Sequence, residues 1–246
     1  MKRFAWHITA AIILISVSAI GYALQIELFH KSQDTFFYLL QDIAFIPIQV
    51  LLVTVVLNEV MKGRQKYQMR HKMNMVIGAF FSEAGNELLS KLISFDTRLE
   101  EIAPILIFDQ SYTQNHQARA IQAVQHRADH INSQSGDLSE LKSFLISNRS
   151  FLMGLLENEN LLEHESFTDL MWATTHLTEE LSCRTQTQGL PASDYAHLSV
   201  DIDRVYRRLI SAWLAYSRHL KEEYPYMFSL VLRSNPFDQN ASIHVD

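Results

Sequence analysis

The spacing of apolar and polar positions changes character once in this chain. From Phe36 to Val60 the residues are almost all apolar (FFYLLQDIAFIPIQVLLVTVVLNEV), and 62–72 are basic (KGRQKYQMRHK). Before that run, residues 4–24 (FAWHITAAIILISVSAIGYAL) carry no charged side chain. A helix rising about 1.5 Å per residue needs about 20 apolar residues to cross a hydrocarbon core of about 30 Å, so both runs read as spans. The short polar connector QIELFHKSQD makes the second antiparallel to the first, a hairpin. For the first run a second reading stays open: Gly21 and Ala23 resemble a signal-peptide cleavage site. Trp6 and Tyr22 stand near its ends, where amphipathic rings favour the headgroup level. His7 reads as solvated or snorkelling. Pro47, which lacks a backbone donor, predicts a kink in the second span.

Past the basic stretch the pattern becomes amphipathic. Met73, Ile77, Phe80, Ala84, Leu88 and Leu92 recur at intervals of three and four, which marks one face of a helix continuing from the second span. Gly78, Ser82 and Gly85 form a small-residue stripe that would let another helix approach closely. Further helices are predicted over 113–132, 137–158, 160–182 and 194–222, with Asp137 and Glu140 as a capping box and Gly189–Pro191 as a break. The last helix has the clearest stripe: Leu198, Ile202, Val205, Leu209, Trp213, Tyr216 and Leu220. Pro225 ends it, and MFSLVL beyond it docks either on the bundle or on a membrane surface. No strand-like alternation or internal repeat is visible. The predicted class is all-α, a transmembrane helical hairpin (1–61, spans about 4–24 and 36–60), a juxtamembrane neck (62–72) and a cytosolic helical bundle (73–246).

Charge sharpens this division. Residues 1–72 carry a formal charge of +4 and the remainder −10, out of a total of −6. An acidic domain lacks the clustered Lys and Arg that displace counterions from nucleic acid, so nucleic acid is excluded as a partner. Lys62, Arg64, Lys66, Arg70 and Lys72 follow the second span and Lys2 and Arg3 precede the first, which puts both termini in the cytoplasm by the positive-inside rule. The same five residues suit anionic lipid headgroups at about 1 kcal/mol each. A single cysteine, Cys183, allows no intrachain disulfide.

Four stretches carry a resemblance: DIAFIPIQVLLVT (42–54), MNMVIGAFFSE (73–83), HESFTDLMWATTHLTEEL (164–181) and YPYMFSLVLRSNPF (224–237). Together they resemble a family of uncharacterised two-span prokaryotic membrane proteins with a helical cytosolic domain. The resemblance implies topology and a multi-pass location in the inner (plasma) membrane. It implies no catalytic or binding residue.

Candidate chemistry is sparse. Asp42 inside a span is costly, about 2.5–3.5 kcal/mol at the bilayer centre, and Gln49 seven positions on lies within about 20° of it on a straight helix. The pair forms either a polar stripe facing a pore between subunits or, for Asp42, a residue solvated in the headgroup layer. His126 and His130, four apart in a predicted helix, share a face, and His197 with Asp201 repeats that spacing. His176 lies among Glu163, His164, Glu165, Asp169 and Glu180. None of these histidines follows a Glu at the Glu-x-x-His spacing of di-iron bundles, with Asp194 to His197 the nearest substitute, so neither metal nor cofactor is assigned. No nucleophile motif or phosphate-cradling glycine loop is present. The expected function is therefore a non-enzymatic membrane protein, a homo-oligomer whose helical domain mediates self-association or partner binding. The alternatives are an oligomeric channel or transport accessory using Asp42 and Gln49, and a metal-binding bundle enzyme.

Overall fold

The computed structural model describes residues 2–29, 32–158, 161 and 164–244, without the side chains of 2–11, 29, 32, 66–68, 70 and 71. Among the described residues the chain is all-helical with no strand. It divides into two compact units, Met1–Lys66 and Tyr67–Asp246.

In the first unit, α1 runs Lys2–Phe29 and α2 begins at Ser32, continuing helical through Pro47 to Phe80. The connector predicted at residues 25–34 is thus mostly helix. Gln25 and Glu27 are good helix formers, and Asp34 stands in the first turn of α2, where a carboxylate complements the helix dipole. Gln33–Gln65 is a 33-residue stretch whose most apolar 18-residue window has a mean hydropathy of 2.1, long and apolar enough to cross a membrane. Among the described side chains of α1, which begin at Ile12, the apolar stretch runs Ile12–Leu28. One helix among the described residues is long and apolar enough to cross a membrane. Trp6, His7, Lys2 and Arg3 lie outside the described side chains.

The second unit is built on the amphipathic pattern. Helices follow in the order α3 (Asn86–Ile93), α4 (Ala103–Leu106), α5 (Gln114–Gln125), α6 (Leu138–Ser147), α7 (Arg149–Leu156), α8 (Glu165–Cys183), α9 (Ala192–Glu223) and α10 (Pro225–Arg233). The long α9 is central and packs against α3, α5, α8 and α10, while α8 is flanked by α6 and α7. Its buried face holds the predicted stripe from Leu198 to Leu220, with Tyr216 only partly covered.

Between α2 and α3, Phe81–Gly85 forms one turn of π-helix. Its cause is visible in the stripe. From Met73 to Leu92 is 19 steps, and at about 100° per step a plain α-helix would leave Leu92 about 100° away from Met73 around the axis. A π turn absorbs one extra residue and cancels that drift. Met73, Ile77, Phe80, Phe81, Ala84, Leu88, Leu89 and Leu92 are accordingly all buried.

Several predicted boundaries shift. The helix expected to reach residue 132 stops at Gln125, because residues 130–132 pair with 95–97: Thr97 N–H donates to the His130 carbonyl (2.9 Å) and Asn132 N–H to that of Phe95 (2.9 Å). The helix expected over 137–158 is two, meeting at Asn148, whose side chain donates to the Phe144 carbonyl. Asp137 caps α6 by accepting from the N–H groups of Ser139 and Glu140, whereas the Glu140 carboxylate pairs with Lys91 at 2.6 Å. The tail docks on the bundle: Phe228 stacks near Phe108 and Tyr112, Phe237 packs on Trp213, and the Asn235 amide donates to the Leu106 carbonyl at 3.0 Å.

Candidate functional site

Helices α8 and α9 are consecutive, and each carries two potential ligands one turn apart on the face turned to the other. His176 and Glu180 come from α8; His197 and Asp201 come from α9. The loop between them is closed by Arg184, whose guanidinium donates to Asp194 through Nε (3.0 Å) and Nη2 (2.6 Å) and to the Glu180 carboxylate through Nη1 (2.8 Å). These bonds raise the Arg184 pKa and hold those of Glu180 and Asp194 below the usual carboxylate range. Gly189, at φ 69°, supplies the left-handed turn of that loop.

Asp201 is the centre of the cluster. It is only 1% exposed, and its Oδ1 accepts from Arg204 Nη1. Oδ2 lies 3.4 Å from His176 Nε2 and 3.2 Å from His197 Nε2, yet has no hydrogen bond of acceptable geometry. Glu180 stands opposite, with Oε2 at 3.5 Å from His197 Nε2 and Oε1 at 4.0 Å from His176 Nε2. The donor atoms of His176, His197 and Asp201 all lie within 4.8 Å of one another, and both imidazoles are about half exposed.

The other two histidine candidates go elsewhere. Because α5 ends at Gln125, His126 and His130 share no helix face. His126 Nδ1 lies 2.8 Å from the Gln122 carbonyl. His130 is buried 3.2 Å from Asp203 Oδ1, beside Arg127, which holds the buried Asp96 through two bonds of 2.6 and 2.9 Å. Arg207 bonds Asp203 at 2.7 Å and caps the carbonyls of Val124 and Gln125. Burial, then the Arg127 charge, push the His130 pKa down. No sequence spacing announced this network, since its members come from three separate segments, at Asp96, 124–130 and 203–207. For the α8–α9 cluster the two four-residue spacings were the available signal. Their convergence was not.

In the first unit, Asp42 and Gln49 are exposed on α2, and Tyr22 of α1 donates to Asp42 Oδ2 at 3.3 Å. Lys62, Arg64 and Lys72 are exposed, whereas the Lys66 and Arg70 side chains and Glu163 lie outside the described residues. Gly78 faces the Tyr216 ring of α9, and Gly85 is buried against Phe80 and Phe81. Ser82, Gly78 and Met227 line a groove of about 370 Å³. A larger one of about 750 Å³ runs along Asn74, Ile77, Arg208 and His219.

The comparisons agree with the helical division. Residues 2–61 match the family described as MJ1433, N-terminal helical domain, and residues 69–233 that described as Uncharacterized protein MJ1433, C-terminal helical domain. A relative named Uncharacterized protein MJ1433, from Methanocaldococcus jannaschii, is 40% identical over 243 residues, covering 99% of this chain and 98% of the relative. No solved structure matches. With both of its helical regions and nearly its whole length matched, the chain belongs to the MJ1433 family.

Proposed function

We propose that this is an integral membrane protein whose α2 spans the plasma membrane, with α1 returning as a second span and both termini in the cytoplasm. The observation that carries the reading is the exposure of Gln33–Gln65: none of its most apolar window is buried. A core helix of a soluble protein would bury that face. Here Leu40, Leu51, Leu52 and Val60 are each more than 60% exposed. Covering a large aliphatic side chain is worth about 1.5–3 kcal/mol, so a stretch of this length left in water is strongly unfavourable, and a bilayer satisfies it. The exposed Lys62 and Arg64 at its end suit the cytoplasmic headgroup layer.

Within this reading the acidic helical unit serves self-association or partner binding and performs no chemistry of its own. Asp42 acts as a brace between the two helices, because the Tyr22 hydroxyl already answers its carboxylate from the same chain. That partner argues against a pore lined by Asp42 and Gln49.

The test is fractionation with alkaline carbonate extraction, joined to a reporter fused after Asp246. Retention in the extracted membrane with a cytoplasmic reporter is expected. Release by carbonate would refute the spanning helix, and an external reporter would refute the orientation. Light scattering of the detergent-solubilised chain tests self-association, for which a monomer would be the refuting result.

A further inference from the structure

We infer that the α8–α9 hairpin binds one first-row divalent cation of the zinc class, ligated by His176 Nε2, His197 Nε2 and Asp201 Oδ2. The separations carry the inference. Ligand atoms about 2.0–2.1 Å from a tetrahedral zinc stand about 3.3–3.4 Å from one another. The Asp201 oxygen lies 3.4 and 3.2 Å from the two imidazole nitrogens, and Glu180 Oε2 lies 3.5 Å from His197. The two edges that Asp201 makes are already at metal-binding length, and the three ligand atoms all lie within 4.8 Å of one another. Glu180 Oε2 is engaged by Arg184 at 2.8 Å, so Glu180 stands beside the site and leaves the fourth position open.

Hydrogen bonding alone accounts for the arrangement less well. Direct N–H···O bonds cluster near 2.9–3.0 Å, and Asp201 Oδ2 makes none despite complete burial. A carboxylate oxygen buried without a partner carries a desolvation penalty that a bound cation removes. The remaining oxygen is held by Arg204, which leaves Oδ2 aimed at the two imidazoles, as an outer-shell residue orients a metal ligand. Two imidazoles with a carboxylate favour zinc, cobalt, nickel or copper over magnesium or calcium, which prefer all-oxygen sets. The cation would tie α8 to α9 beside their loop, and the half-exposed histidines leave it open to exchange and chelation.

The experiment uses the full-length chain in detergent, purified through a tag free of histidine, stripped with a chelator and titrated with cobalt(II). Expected are visible d–d bands of tetrahedral intensity that saturate at about one equivalent and are displaced by zinc. The H176A/H197A double variant changes only half-exposed side chains, and with unchanged helical circular dichroism it should lose those bands. R204A should weaken cobalt binding about 10–100-fold. Absence of saturable bands in the wild-type chain would overturn the site, as would equal binding by the double variant. The reading fails or stands independently of membrane insertion.

Discussion

Replacing Gly85 by alanine tests the π turn. A Cβ there would stand 2.6 Å from Cε1 of Phe80 and 2.7 Å from Cδ1 of Phe81. Carbon atoms pack at about 3.5–4.0 Å, so each ring must retreat by roughly 0.8 Å or more. Neither has room. Phe80 is held edge-on by Phe167 at 5.3 Å and Phe81 is stacked on Tyr216 at 5.1 Å, both fully buried. Overpacking of this kind costs about 1–3 kcal/mol, against about 1 kcal/mol of helix propensity gained on replacing glycine. Gly154 provides the reference, because it lies exposed in α7 with nothing within 4 Å of an added Cβ. Gly154→Ala keeps the propensity gain and lacks the clash, so the difference between the two variants isolates the packing cost. At about 2–4 °C per kcal/mol for a unit of this size, Gly85→Ala should melt about 2–12 °C below Gly154→Ala. The assay is thermal unfolding of the full-length protein in detergent, followed by near-ultraviolet circular dichroism. Coincident melting temperatures would refute the close-packed π turn.

Three further outcomes are expected. His130, buried among Asp203, Arg127, Arg207, Asp96 and Tyr206, has its pKa lowered from 6.5, so the unfolded chain takes up a proton that the folded one resists. Stability from this residue is complete above about pH 6.5 and is lost as pH falls below it, by at most about 1.4 kcal/mol per pH unit; H130Q should flatten that slope in denaturant titrations, and an unchanged slope would count against it. Phe228→Ala removes a ring that is fully buried against Phe108 and Tyr112 and should destabilise the helical unit by about 3–5 kcal/mol, read as a lower denaturant midpoint with unchanged m-value. Zinc at about 100 times its dissociation constant should stabilise the wild-type chain by about 2.7 kcal/mol and leave H176A/H197A unmoved, measured as a shift in melting temperature.

The sequence by itself determined the parts of this protein that depend on local periodicity. The apolar run from Phe36 to Val60, the helical class, the buried face of α9 and the cap at Asp137 were legible, because each is a property of residues within one or a few turns. Boundaries set by distant partners were not. Nothing between 113 and 132 says that the helix must stop at Gln125; the stop comes from residues 95–97 bonding residues 130–132. The same limit governed the histidines. Four-residue spacing was equally present at His126/His130 and at His197/Asp201, but only packing decided which pair lost its helix and which met His176 and Glu180 across a second one. Spacing along a helix fixes which side chains share a face. Which faces converge, and whether a buried carboxylate such as Asp201 is left aimed at two imidazoles, is decided only when the helices pack against each other.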